Sequence, residues 1–184
     1  MATTFPEVYY KKVIKLLLSQ SKMLDYTNDP EPVLNSTLEL LSHFLKLNNG
    51  RVFLWDTQSS QLVIRYSYGL TKQQINVGKY EISEGVTGEA FGSGRAVLVE
   101  NIENEPHFMK KVISAGPEKK PAKSYIATPI SSEGYDFGIL AVDCNNTNDG
   151  DIEAYGLVLN LVANMFAEII HKYELDDFTF YNAA

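Results

Sequence analysis

The side chains of this 184-residue sequence best suited to metal binding or nucleophilic attack are three histidines and a single cysteine. His43 falls beside the apolar stripe of a helical segment, His171 lies near the end of another, and His107 sits in irregular chain. No His-Glu-x-x-His occurs, and no second cysteine is present to complete a zinc site. The histidines therefore read as structural or surface residues, and no metal or cofactor is expected. Cys144 lies at a strand end, where a lone cysteine behaves as an inert small hydrophobe rather than a redox thiol. A single cysteine also points to a reducing compartment, and a cytoplasmic location is expected. Gly85-Val86-Thr87-Gly88 at a helix start could offer N–H groups to an anion, although a tight turn is the simpler use of its glycines. Gly92-Ser93-Gly94 lacks the third glycine and the helix start of a dinucleotide fingerprint. No Gly-x-x-x-x-Gly-Lys-Ser/Thr occurs. Lys119, Lys120 and Lys123 form the densest basic group, which reads as a solvated loop or as an attractor for an anionic metabolite such as a dicarboxylate. The net charge is −7 without a basic face, so direct nucleic-acid binding is not expected.

The elements that would position these residues follow from apolar periodicity. Val13, Leu16, Leu17 and Leu24 have helical spacing, and Thr27-Asn28-Asp29-Pro30 ends that helix. Asp29 can cap a second helix, with Pro30 in its first turn, carrying Leu34, Leu38, Leu41 and Leu45 on a core-facing stripe. Asn48-Asn49-Gly50 is the expected stop. Residues 52–55 form a strand, and a second strand alternates with Leu62, Ile64, Tyr66 and Tyr68 on one side. Residues 79–82 make a short third strand. Ser83 is placed to cap a helix over Val86, Ala90 and Phe91, and residues 96–99 make a fourth strand. Residues 100–123 are irregular, with a short helix expected near 108–113. Two strands, 124–130 and 137–144, precede a last helix from about Asp151. On it Tyr155, Leu159, Val162, Phe166, Ile169 and Tyr173 have the spacing of a coiled-coil seam, with Leu161 and Met165 on a second apolar edge. Adjacent strands flanked by helices give an α+β class with an antiparallel sheet. No apolar run reads as a signal peptide or a membrane span.

Four stretches in order carry a family resemblance. The segment Glu84-Gly85-Val86-Thr87-Gly88-Glu89-Ala90-Phe91-Gly92-Ser93-Gly94-Arg95-Ala96-Val97 resembles the central signature of GAF domains. It continues as Glu100-Asn101-Ile102 and Glu105-Pro106-His107-Phe108. Ser124-Tyr125-Ile126-Ala127-Thr128-Pro129-Ile130 and Gly138-Ile139-Leu140-Ala141-Val142-Asp143 resemble the last two strands of that family. The whole is most similar to the N-terminal regulatory domains of NifA-type activators of nitrogen fixation. The resemblance implies a profilin-like central sheet of about six strands, with terminal helices on one face and a helix plus a long loop covering the other. It implies a signalling helix over residues 1–28, a GAF domain over 29–175 and a tail over 176–184.

It also implies a regulatory sensor rather than an enzyme, the input domain of a transcriptional regulator. A small molecule or partner protein would be held between sheet and cover, and the signal passed through the terminal helices of a homodimer. Carried over by position, Val86 and Thr87 match residues that contact ligands in relatives, Met109 falls near another contact beside Phe108, and Lys123 with Ser124 marks the return of the loop. Tyr68 and Tyr125 would enter from the strands. The sequence departs from the cyclic-nucleotide subgroup in lacking Asn-Lys-x-Phe-x-x-x-Asp-Glu, and from the bilin-binding subgroup in lacking a cysteine in the helical loop region. Two alternatives stand beside the sensor: a ligand-free dimerisation or docking module, and a reductase of free methionine sulfoxide, which would have a single thiol to work with.

Overall fold

The computed structural model describes residues 29–45, 47–112, 122–144 and 151–173, together with 11, 13–15, 18 and 19. The elements in chain order are α1 (Glu31–Leu45), β1 (Leu47–Asp56), β2 (Gln61–Tyr68), α2 (Lys72–Val77), β3 (Lys79–Tyr80), α3 (Gly85–Ser93), β4 (Val97–Val99), a 3₁₀ turn (Ile102–Asn104), β5 (Ser124–Ser132), β6 (Tyr135–Cys144) and α4 (Asp151–Tyr173). The strands form one sheet of six in the order β3-β2-β1-β6-β5-β4. Every pairing is antiparallel. This is the expected GAF-like α+β architecture. The expected first helix survives only as helical residues 11, 13–15, 18 and 19, with Val13 buried; its remainder and the tail lie outside the described residues.

Alternation along the strands divides the core into two layers. Val52, Leu54, Ile126, Ile130, Leu140 and Val142 face α1 and α4. Phe53, Trp55, Tyr125, Ala127, Ile139 and Ala141 face the cover made by α3 and the loop after β4. The leucine stripe of α1 is buried as expected. On α4 the seam residues Leu159, Val162, Phe166 and Ile169 are spent against the chain's own sheet, chiefly on β5. Leu157 and Leu161 point outward, 69 % and 52 % exposed. Residues 152–172 of α4 are apolar enough and long enough to cross a membrane by composition alone, and half of that stretch is buried inside the protein. Its hydrophobicity is that of a core helix.

Several boundaries move. Asn48, Asn49 and Gly50 do not stop a helix but belong to β1, where pairing with β6 and β2 overrides their turn preference. The helix expected near 108 is absent over the described residues to 112, and an unexpected helix, α2, starts in a capping box between Thr71 and Gln74. Ser83 does not cap α3. It takes φ +64°, the N-cap position falls to Glu84, and no side chain caps that end. The expectation that Leu62, Ile64, Tyr66 and Tyr68 share one face also fails. Val52 pairs with Tyr66 while Phe53 pairs with Ile64, so Arg65 is an extra residue. That bulge sends Leu62 and Ile64 to the cover and Tyr66 to the helices.

Candidate functional site

The two layers differ in chemistry. Under the cover, β1 and β6 bring opposite charges together. Arg51 is 2 % exposed and Asp143 3 %. The guanidinium grips the carboxylate end-on, Nη2 to Oδ1 at 2.6 Å and Nη1 to Oδ2 at 3.3 Å. The Asn49 amide donates to the same Oδ2 at 3.0 Å. Asn49 and Arg51 lie on the cover side because the intervening Gly50 faces α1, where an added Cβ would meet Leu38 and Ser42. Burial, the largest single influence, would lower the Arg51 pKa, but the charge and hydrogen bond of Asp143 together with Tyr125 and Tyr80 outweigh it and lift the group above its ordinary value. The Arg51 guanidinium therefore stays charged inside the domain.

Aromatic and hydroxyl groups extend the cluster. The Arg51 guanidinium carbon lies 5.3 Å from the centre of the Tyr125 ring, a cation–π contact. Tyr125 and Thr87 share a hydrogen bond of 2.7 Å between their hydroxyls. Phe108 meets Tyr125 edge-on at 5.1 Å. Tyr80 packs edge-on against Phe53 and donates its hydroxyl to the carbonyl of Met109 at 3.3 Å. Burial raises the pKa of both tyrosines, against the opposing charge of Arg51, so both hydroxyls stay protonated at neutral pH. The floor beside Arg51 is made of Ala127 and Ala141, which sit opposite one another, and it lets α3 settle close to the sheet.

The cover is fastened at its edge. Lys111 Nζ bonds to Glu84, donates to the Lys79 carbonyl at 2.8 Å and lies 4.8 Å from the Tyr80 ring centre. The Lys111 hydrogen bond, with help from the Glu81 backbone N–H, holds the Glu84 carboxyl below its ordinary pKa. Two glycines allow the close approach. Gly88 has the Glu81 carbonyl where a Cβ would be, and Gly85, at φ +58°, would push a Cβ against Met109 and the His107 carbonyl. The start of α3 is thus occupied by the loop, and Gly85 and Gly88 let the first turn of the helix sit against the tight turn over residues 81–84. Stacking of Trp55 on Phe91 at 5.4 Å pins the other end of α3.

Of the residues expected at a site, the fold gathers Val86, Thr87, Phe108, Met109 and Tyr125 under or along the cover. Met109 contributes its carbonyl, and its side chain is 40 % exposed. Tyr68 lies elsewhere: the bulge at Arg65 puts it opposite Gly50 on the helix side, where it is 36 % exposed. Ser124 is buried but pairs with Cys144 on the helix face, since neighbours in a strand point to opposite sides and Tyr125 takes the cover side. Lys123 has an exposed side chain and ties the loop through its backbone to Ile102 and Cys144; Lys119 and Lys120 lie outside the described residues. Arg51, Asp143, Asn49, Tyr80, Glu84 and Lys111 were not expected. The visible signal was a charge of each sign inside an apolar strand, Arg51 before Val52-Phe53-Leu54 and Asp143 after Leu140-Ala141-Val142. Among the described residues, no group of three or more His, Cys, Asp or Glu side chains is placed to hold a metal ion.

Comparison with known proteins agrees with this architecture. The GAF domain family matches residues 29–167. The chain is 25 % identical to nitrogen fixation protein VnfA of Azotobacter vinelandii over 90 % of its length and 32 % of that protein. It is 24 % identical to the Nif-specific regulatory protein of Herbaspirillum seropedicae over 94 % of its length and 32 % of that protein. It therefore spans about a third of the curated relatives it matches. Among solved structures, the GAF domain of A. aeolicus nlh2 in an inactive state superposes with a TM-score of 0.76 at 20 % identity, covering 89 % of this chain and 98 % of that one. With a fold, a motif order and a family match that coincide, the chain belongs to the GAF domain family.

Proposed function

We propose that this chain is the sensory input domain of a transcriptional regulator, holding a small molecule between sheet and cover. The observation that carries the reading is the buried set Arg51, Asp143, Thr87 and Tyr125 beneath a cover fastened through Lys111 and Glu84. The helix face buries only small hydroxyls, Thr37, Ser42, Ser124 and Thr128, whereas the cover face buries an ion pair. Buried polar side chains are costly unless satisfied, and they supply orientation and specificity where a ligand binds. An anionic metabolite is the ligand class we favour, read by Arg51 rather than by the loop lysines.

The path outward runs through β5. Tyr125 faces the cover while its neighbours Ile126 and Ile130 face α4. A ligand that prefers one position of Tyr125 thereby favours one seating of α4, which is the differential affinity that signalling requires. Leu157 with Leu98, Gly156 and Pro129 lines a groove of about 590 Å³ beside α4, and Leu161 lies exposed one helical turn farther on. That surface is where a second copy would pack in the homodimer. Catalysis is not proposed. Cys144 faces the helices, away from the cover, and burial, helped by the charge of Asp143, pushes its thiol up to about 12.

The test is a thermal-shift and calorimetric titration with a panel of small carboxylates, including 2-oxoglutarate, and neutral analogues, with light scattering to follow association. The reading expects at least one compound to bind saturably, to lose affinity in Thr87→Val, and to alter the monomer–dimer balance. No binding by any compound, or turnover of free methionine sulfoxide that depends on Cys144, would replace it with the docking or reductase reading respectively.

A further inference from the structure

The short strand β4 holds two layers at once. Val97 and Val99 pack with the cover. Leu98 points the other way and lies against Gly156 of α4, where an added Cβ would come within 3.1 Å of its Cδ2 and 3.7 Å of its Cγ. Gly156 is buried in the interior of a helix, a position where glycine is weaker than alanine. Its use there is the close approach of Leu98. β4 is also an edge of the sheet, bonded to β5 alone, whereas β5 is bonded on both sides. It can shift by loosening one ladder, where β5 would have to loosen two. The strand follows directly on the cover. α3 is capped by Gly94 in the left-handed conformation, at φ +62°, and only Arg95 and Ala96 separate that cap from Val97.

These pieces form the two walls of the groove beside α4. One wall, with Gly94, Arg95 and Leu98, belongs to the stretch of chain that leaves the cover; the other, with Gly156, Leu157 and Asn160, belongs to α4. We propose that Leu98 on Gly156 is a sliding joint, through which a displacement of α3 reshapes this groove and reseats α4. Leu98 is 38 % exposed, so the core does not lock it in place. Gly156 offers it bare backbone to move along, where a side chain would hold the strand off the helix. The inference goes beyond the sensor reading. The joint answers any displacement of α3, whatever causes it, and it connects the cover to the outer face of α4 without passing through Tyr125. Coupling of this kind is reciprocal, so a change at Gly156 must also reach α3.

Both directions can be tested without a ligand, by backbone amide shifts of the ¹⁵N-labelled full chain. Gly92→Ala supplies the displacement. Its new methyl would lie 2.9 Å from the Cγ2 of Ile82 and 3.2 Å from the Oγ of Ser83, so the last turn of α3 is pushed off the turn that precedes the helix. The expected result is a shift of the amides over residues 94–99 and also over residues 153–160. Repeated in a Leu98→Ala background, Gly92→Ala should still move residues 94–99, while its effect on residues 153–160 is lost. In the reverse direction, Gly156→Ala should move amides over residues 86–93 in α3. A change that only strengthened α4 as a helix would leave those amides still. Undisturbed α4 amides in Gly92→Ala overturn the proposal. So does a full α4 response in the Leu98→Ala background, which would place the route in β5, and so does a Gly156→Ala protein whose α3 amides do not move. If Leu98→Ala does not fold, Gly156→Ala decides alone.

Discussion

One sheet carries two unlike faces. Toward α1 and α4 the layer is mostly aliphatic with Phe137 and Phe166, and its buried polar groups are uncharged: Ser42, Ser124, Thr128 and Thr37, whose hydroxyl donates to the Val33 carbonyl of its own helix. Toward α3 and the loop the layer includes an ion pair, two tyrosine hydroxyls and a threonine. The first face can only be packed. The second can be rearranged, because its contacts are directional and its lid is joined by a few hydrogen bonds rather than a long helix. On the proposed reading, stability and recognition fall on opposite sides of the same strands.

Substitutions can break that division. The largest effect is expected from Asp143→Leu, which strands the buried charge of Arg51 and should cost about 3–5 kcal/mol in denaturant unfolding. Adding Arg51→Met should restore most of that stability, since an apolar pair of similar volume commonly equals or exceeds a buried ion pair, while any ligand response stays lost. Leu38→Ala on the helix face should cost about 2–5 kcal/mol through a cavity, and ligand affinity in the folded fraction should be unchanged. If Leu38→Ala abolished binding, or if the double variant kept it, the faces would not be separable in this way.

Smaller changes sharpen the comparison. Thr87→Val removes the Tyr125 partner and should lower stability by about 1–3 kcal/mol, while weakening binding more than Leu38→Ala does. Lys111→Met unfastens the cover and should lower stability by under about 1 kcal/mol, since the Lys111 and Glu84 side chains are each 27 % exposed. That loss has a predictable pH dependence. The Glu84 carboxyl is held below its ordinary 4.5, chiefly by Lys111, so the pair stabilises fully above that value. The contribution fades as pH falls through the folded pKa. Melting curves of wild type and Lys111→Met should therefore differ at neutral pH and converge in acid. A gap that persisted in acid would place the role of Lys111 in packing rather than in the ion pair.

The sequence was most legible where periodicity speaks. The stripe of α1, the α4 core and the order of elements along the chain follow from spacing, and α3 begins at Gly85 where the motif puts a helix start. It was least legible where partners distant in sequence decide. Asn48, Asn49 and Gly50 look like a helix stop until β6 pairs with Asn49 and Gly50. Tyr68 looks like a companion of Ile64 until the bulge at Arg65 flips the strand, a displacement of one residue that periodicity cannot show. Thr87 and Tyr125 were reachable by motif position. Arg51 and Asp143 were not, because they are 92 residues apart and each alone is merely a charge in an apolar run.

Amide hydrogen exchange resolved along the chain tests the division of labour most directly. The account predicts that amides over residues 79–112 exchange through a low-energy opening that leaves α1 and α4 protected, and that a bound carboxylate slows those cover amides selectively. Cover amides that exchange only with global unfolding, at the same free energy as α4 and with no response to ligand, would contradict it.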